Sequence, residues 1–475
     1  MLSGSETCLA SEKGGCFKVR TKPLLVYPRV LFYPVACLAL VWPALLSGFP
    51  ILFPDTMNYV VSGDPIVAAL LGQPIGSYGT RSVFFSLSLY PLHYFGGPWP
   101  IILMQALLGS WTLRASLRLL WGEDRPRETL GVILVLSALS SLSWTVSLIM
   151  PDYLCGLMTL WIFLLCSERS SRTEKFLSAA FTWYAAVSHA SHLALLLALI
   201  PVSAILFPQR KSAILSTLSV AMPAILSLLV FHGFLYGRPL LFGPEGPPFL
   251  TARLLADGTG VRMLEKNGHF TVARYDHLFS SDSDEILWGP GGLGEDVRIQ
   301  NFEDWKAIKA EERQFVLSTL RHDPLLQLRR SLNNWWRQCL KVNVELSRGS
   351  PYIEKEVKRL WPDRQDSYFN SLQNTAKLPP SLRQLHQLSL VLSLLWLFVL
   401  GIRYRNQIGA RWVQFGVLVG SSYFINAAIT GILSKPAGRY QTRIAWLICF
   451  TALAVGYRVF LEGKSVSKSV HVVRS

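Results

Sequence analysis

Apolar runs close to twenty residues long recur along the chain, at about 30–53, 97–121, 128–148, 153–167, 175–188, 191–207, 212–236, 384–402, 412–434 and 440–461. A helix rises about 1.5 Å per residue, so a run of this length spans the roughly 30 Å hydrocarbon core of a bilayer. The pattern predicts an all-α polytopic membrane protein with about ten transmembrane helices. Between the seventh and eighth runs the pattern changes. Residues 237–383 are polar, with turn-rich patches at Gly243–Pro248 and Gly289–Gly292, then an amphipathic run from about Glu303 to Leu346. There Leu317, Leu320, Leu325, Leu328, Leu332, Trp335, Trp336, Leu340 and Val344 recur near helical spacing. This predicts a mixed, partly helical external domain resting on the membrane, with Trp335 and Trp336 suited to the interface. The chain divides into a basic tail (1–29), a first membrane module (30–236), the polar domain (237–383), a second group of spans (384–461) and a short tail (462–475).

Composition agrees with this division. With 51% hydrophobic and 16% charged residues the 475-residue chain is neither disordered nor collagen-like, and a soluble single-domain enzyme is an unlikely bearer of ten such runs. Lys and Arg outnumber Asp and Glu by 46 to 30, and the excess has an address. Residues 237–383 hold 19 acidic and 21 basic residues, which leaves 25 basic and 11 acidic ones beside the spans. Of those 25, 21 fall in the tail to Arg29, 114–127, 169–175, 210–211, 403–411 and 458–474. Only Arg81, Lys435, Arg439 and Arg443 fall on the other side. Basic residues mark the cytoplasmic face, so both termini are expected there and 237–383 outside; the charge is no nucleic-acid footprint.

The basic tail followed by an apolar run has the shape of a signal peptide. The run of about 24 residues lacks an A-x-A cleavage site, so a retained first span is expected. The seven cysteines contain no CxxC pair, and neither a disulfide framework nor a zinc site is implied. No internal repeat is visible, and no N-x-[ST] sequon occurs in the outer segments, which suits a bacterial inner membrane.

Ionisable groups at the outer ends of spans are costly unless partnered or at work. Three acids qualify: Asp55 in Phe53-Pro54-Asp55-Thr56-Met57-Asn58-Tyr59, Asp64 nearby, and Asp152 in Met150-Pro151-Asp152-Tyr153. Asp55 and Asp152 are 97 positions apart yet are both expected at one membrane boundary. Pro-Asp is also an ordinary opening for a helix, where an acid favours the dipole.

Taken in order, these features resemble the GT-C superfamily of membrane glycosyltransferases, particularly the protein mannosyltransferases and the aminoarabinose transferase of lipid A. An acid follows the first span, in Asp55-Thr56-Met57-Asn58-Tyr59; the family typically has an acidic pair there, and Thr56 stands in place of the second. A membrane-surface helix follows, like Thr80-Arg81-Ser82-Val83-Phe84-Phe85-Ser86-Leu87 through Tyr94-Phe95-Gly96. A second acid opens an apolar helix in Pro151-Asp152-Tyr153-Leu154-Cys155-Gly156-Leu157. A hairpin with a polar turn is similar to Ser188-His189-Ala190-Ser191-His192, where the aminoarabinose transferase type often has a lysine. An Arg-Tyr pair near the last span matches Gly438-Arg439-Tyr440-Gln441. The likeness covers 30–236 and 384–461, and no motif is assigned within 237–383.

The resemblance implies a polyprenyl-phosphate sugar donor, a lipid, glycan or protein acceptor approaching from outside, and inversion at the anomeric carbon. Asp55 and Asp152 become the catalytic candidates, Asp55 as general base. Arg81, Arg439 and Arg443 are the arginines able to grip a lipid phosphate, with His189, His192 and Tyr440 beside the substrate. The resemblance leaves the cofactor open: a divalent metal is compatible with it, and His189 and His192, three apart, could hydrogen-bond phosphate or help bind such an ion. Two other readings stay open: a transporter, which would place ionisable groups at span midpoints and repeat its halves, and a catalytically inactive relative acting in envelope assembly.

Overall fold

The computed structural model describes residues 7–10, 16–19, 31–73, 81–241, 246–294, 296–345, 349–375, 380–405 and 409–472. Most of the basic tail to Arg29, Thr80, Gly243–Glu245 and Leu346 lie outside them. Two strands, β1 (Thr7–Ala10) and β2 (Cys16–Val19), pair antiparallel; every other regular element is helical among the described residues.

The first membrane module consists of α1 (Phe32–Ser47), α2 (Pro54–Val61), α3 (Gly63–Leu70), α4 (Val83–Gly96), α5 (Trp99–Trp121), α6 (Pro126–Leu139), α7 (Leu142–Ser147), α8 (Tyr153–Cys166), α9 (Arg172–Ser188), α10 (Ala190–Leu206) and α11 (Arg210–Tyr236). The polar stretch folds into α12 (Phe249–Ala256), α13 (Thr259–Lys266), a 3-10 segment (Thr271–Leu278), α14 (Ser283–Trp288), α15 (Asp296–Gln300), α16 (Phe302–His322), α17 (Pro324–Leu340), α18 (Pro351–Leu360), α19 (Gln365–Phe369) and α20 (Leu372–Thr375). Then come α21 (Pro380–Arg403), α22 (Ala410–Leu433) and α23 (Gly438–Val472).

Four helices among the described residues are long and apolar enough to cross a membrane: Arg210–Tyr236, Ser381–Arg403, Ala410–Leu433 and Gly438–Phe460. Phe32–Ser47, Tyr153–Cys166 and Ala190–Leu206 are apolar but shorter. The chain is in these terms a helical membrane protein. Helix α8 is apolar on every face and buried from Tyr153 to Leu165, as expected of a helix surrounded by others. It packs against α5, α9, α11, α22 and α23 at the centre of the main core.

Three expectations are corrected. The run 30–53 yields a helix only to Ser47, because Gly48 takes the left-handed conformation (φ 77°) and Pro50 follows, which leaves 49–53 extended. The run 128–148 breaks between α6 and α7. Ser140 is extended there, and its neighbours turn their hydroxyls onto backbone carbonyls: Ser141 Oγ donates to Thr442 (2.8 Å) and Ser143 Oγ to Ser137 (2.8 Å). The amphipathic run 303–346 splits at Asp323-Pro324, where the Asp323 carboxylate caps α17 by accepting from the Leu326 N–H (3.4 Å).

The stretch 237–383 is not mixed but helical among its described residues, and it feeds two cores. Leu255, Met263, Phe270, Ile286, Trp305 and Phe315 build a separate cluster under α12–α16. Helices α17–α19 join the main one: α17 lies along α22, and Trp361 and Tyr368 pack on Phe49 at ring distances of 6.2 and 5.6 Å.

Candidate active site

The two acid-bearing stretches, one after α1 and one before α8, are zipped together by backbone. The Ile51 N–H donates to the Ser147 carbonyl (3.0 Å) and the Ile149 N–H to the Ile51 carbonyl (3.1 Å), a parallel bridge that pairs Ile51 with Leu148. Thr56 adds a second link. Its hydroxyl accepts from the Phe53 N–H (2.9 Å) and donates to the Ile149 carbonyl (2.8 Å). Pro54 opens α2 and Asp55 stands in its first turn, where the helix dipole favours an acid. On the other stretch Asp152 forms the N-cap position of α8 but makes no capping bond. It is turned toward α23 instead.

Helix α23 starts at Gly438 and carries Arg439 and Arg443 one turn apart, so both guanidiniums lie on the same side, with Tyr440 beneath them. Arg439 Nη1 is 3.8 Å from Asp55 Oδ2, and its guanidinium stacks 4.1 Å from the Phe53 ring centroid and 5.1 Å from that of Tyr440. Its Nη2 donates weakly to the Tyr440 hydroxyl (3.4 Å). Arg81 forms an ion pair with Asp55 from the other side. Ser82, the next residue, caps α4 and ties it to the end of α9: its Oγ accepts from the Phe85 N–H (3.4 Å) and donates to the Val187 carbonyl (2.7 Å).

Arg443 serves a deeper cluster. Its Nη1 donates to Asp152 Oδ1 (3.3 Å), its Nη2 to Ser191 Oγ (2.9 Å) and to Asn426 Oδ1 (2.7 Å), and its Nε to the same Asn426 oxygen (3.2 Å). The two clusters differ in access. The side chains of Asp55 and Arg81 are 18% and 21% exposed, whereas those of Asp152 and Arg443 are 2% and 0% exposed.

His189 is the N-cap of α10, its Nδ1 accepting from the Ser191 N–H (3.2 Å) and lying 2.8 Å from the Ser191 hydroxyl. His192 is fully buried, its ring centroid 5.1 Å from that of His189, and its Nδ1–H donates to the Ala185 carbonyl (3.1 Å). Burial pushes the Tyr59 phenol well above its usual range; Arg81 pulls it down and Asp55 pushes it further up. Tyr59 is therefore a neutral wall between α2 and α4, its ring 4.9 Å from that of Phe85.

Asp55, Asp152, Arg81, His189, His192, Arg439 and Tyr440 thus belong to two adjoining clusters joined by one turn of α23. Asp64 does not; it is exposed in the first turn of α3. Phe53, Tyr59, Ser191 and Asn426 were not singled out by sequence, although Asn426 carried a signal as an amide within the apolar run 412–434, where it needs a partner. Three guanidiniums face two carboxylates, which leaves one positive charge over. Arg439 Nη1, Asp152 Oδ2 and His192 Nε2 are buried with no hydrogen-bond partner among the described residues. The arrangement suits an anion that the spare guanidinium edge can grip. It does not suit a divalent metal. No group of three His, Cys, Asp or Glu that could hold one occurs among the described residues, and the arginines around Asp55 repel a cation. Comparison with family models, with curated proteins and with solved structures finds no match for this chain.

Proposed function

We propose that this chain is an integral membrane glycosyltransferase that moves a sugar from a polyprenyl-phosphate donor to a hydroxyl of a lipid, glycan or protein acceptor. Ten membrane crossings, made by α1, α5, α6 with α7, α8–α11 and α21–α23, leave both termini in the cytoplasm and the site on the outer face of a bacterial inner membrane. The observation that carries the reading is the meeting of Asp55 with two arginines far apart in the chain, Arg81 just before α4 and Arg439 on α23, at a partly open position beside a buried acid–arginine pair.

The chemistry follows from that arrangement. A donor phosphate competes with Asp55 for Arg81 and Arg439, and as the guanidiniums turn to the phosphate the carboxylate is released to accept a proton. The acceptor oxygen attacks the anomeric carbon and its proton passes to Asp55. The bond from that carbon to the phosphate oxygen breaks, the electron pair leaves with the lipid phosphate, and the configuration inverts. Asp152 is a positioning residue that orients Arg443, while Phe53 and Tyr440 hold Arg439 in plane.

Transfer from a polyprenyl-phosphate sugar by purified protein tests the reading. Asp55→Asn is expected to lower kcat by about 10²–10⁴-fold with thermal stability retained, since the amide keeps the shape but accepts no proton. Arg439→Lys is expected to weaken donor affinity and Arg439→Ala to weaken it further, because an ammonium keeps the charge but loses the two-point contact. Near-normal turnover by folded Asp55→Asn removes Asp55 as the base.

A further inference from the structure

Helix α17 is amphipathic in an inverted sense. Gln327, Asn334 and Gln338 are buried, whereas Leu325, Leu328, Leu332, Trp336 and Leu340 are each at least half exposed. At 100° per residue the five apolar residues share one face and the three amides the opposite one. The amides face inward because a buried network holds them. Asp257 accepts from Gln327 Nε2 (3.1 Å), Asn334 Nδ2 (2.9 Å) and Arg253 Nη2 (2.7 Å), and Gln338 Nε2 donates to the Ala437 carbonyl (2.9 Å). The outward orientation of the leucines is therefore fixed by the fold.

Helix α17 also runs alongside a candidate span. Asn334 and Gln338 lie against Gly431 of α22, where a Cβ would sit 2.8 Å from the Asn334 carbonyl oxygen. The Trp335 indole donates to the Phe424 carbonyl (3.1 Å), and the Tyr423 hydroxyl to the Cys339 carbonyl (2.6 Å). From Tyr423 to Gly431 is eight residue steps along α22, about 12 Å of its length. Phe424 and Leu433 of α22 are themselves half exposed, and Tyr423 and Phe424 close one end of an apolar crevice of about 340 Å³ between α21, α22 and α23. Trp335, at the edge of the leucine face, meets that surface at Phe424. Arg330 and Arg337 flank the leucine face and Arg329 lies within its Leu340 edge; all three are exposed and paired with no acid among the described residues.

We infer that α17 is a lipid-binding helix: its leucine and Trp336 face lies among acyl chains at the Leu433 end of α22, and Arg330 and Arg337 take the phosphates of anionic headgroups. The chemistry recognised is that of the bilayer interface, an apolar layer bordered by anions. This inference rests on the membrane reading alone and stands or falls independently of sugar transfer.

The test places p-benzoylphenylalanine singly at Leu325, Leu332 or Trp336, or at exposed Ser281 as control, in the full-length protein reconstituted in nanodiscs of mixed phosphatidylglycerol and phosphatidylcholine. After irradiation, intact mass is expected to show lipid adducts at the three α17 positions and none at Ser281. Absence of lipid adducts at Leu332 and Trp336 overturns the inference, and so does a covalent dimer in their place, which would assign the face to a second copy. Arg330→Gln with Arg337→Gln is expected to lower the share of phosphatidylglycerol among the adducts at least twofold while total adduct persists. An unchanged share removes the arginines from headgroup binding.

Discussion

Thr56 shows how a single hydroxyl joins two distant stretches of chain. It is fully buried and its hydroxyl both accepts from Phe53 and donates to Ile149, which a carboxylate in its place could not do. The backbone link it makes holds Asp55 level with Asp152. Arg443 is constrained in another way, since its charge balances Asp152 where neither meets water. Arg443→Met is therefore expected to cost about 3–5 kcal/mol of stability by stranding a buried carboxylate. Asp152→Leu combined with Arg443→Met should recover much of that loss. Chemical unfolding of the two variants in detergent checks this, and failure of the double variant to recover would mean that Asn426 and Ser191 depend on Arg443 for more than charge balance.

At the scale of elements, helix boundaries follow local chemistry and helix faces do not. Asp323-Pro324 begins α17, the serines at 137–143 end α6, and Gly48 with Pro50 ends α1. Which face of α17 turns inward is set by Asp257, on the connection between α12 and α13, through its bonds to Arg253, Gln327 and Asn334. Asp257→Ala leaves Arg253 charged at a buried position and two amides short of a partner, an expected loss of about 3–5 kcal/mol. Thermal melts should show it. Proteolysis should also increase first within α12–α17, because among the described residues the apolar cluster under α12–α16 is tied to the membrane helices by a few polar contacts such as Arg253 with the Ser434 carbonyl and Lys435 with Asp282 and Asp284.

One of those ties joins the parts of the whole molecule. Lys435, in the loop between α22 and α23, pairs with Asp282 (3.0 Å) and Asp284 (2.8 Å) at the start of α14. Burial raises the Asp282 carboxyl, but the Asp284 N–H and the Lys435 ammonium outweigh it and hold it below the usual range. Burial lowers Lys435, and the two carboxylates more than reverse that. Asp282 thus contributes fully above its unfolded value near 3.9 and loses the contribution as pH falls through the lower folded one; Lys435 contributes below about 10.4 and loses it as pH rises through its raised value. Hydrogen exchange of α14, corrected for intrinsic rates, should stay flat between about pH 5 and 9 and increase in acid. Orientation is a second property of the whole. Cysteine introduced at exposed Ser281 should react with an impermeant maleimide from outside intact cells; reaction only after the cytoplasm is opened would invert the topology.

The sequence by itself determined the helical membrane class, and most helix positions, because apolar runs, Pro, Gly and capping residues act within a few positions of themselves. It also pointed to Asp55, Asp152, Arg439 and the histidine hairpin, since charged and polar groups beside apolar runs are conspicuous. The tertiary structure decided their partners. That Asp55 meets Arg81 and Arg439, that Arg443 takes Asp152, and that Asn426 and Ser191 complete the inner cluster depend on helices far apart in the chain packing side by side. The same holds for α17, whose leucine stripe is visible in the sequence while the reason it faces outward is not. A buried carboxylate, 68 positions before the first of those leucines, turns the amides of α17 inward and leaves the apolar face outside. Pairing across such separations leaves no periodic trace, because it is set by which surfaces the folded chain brings together.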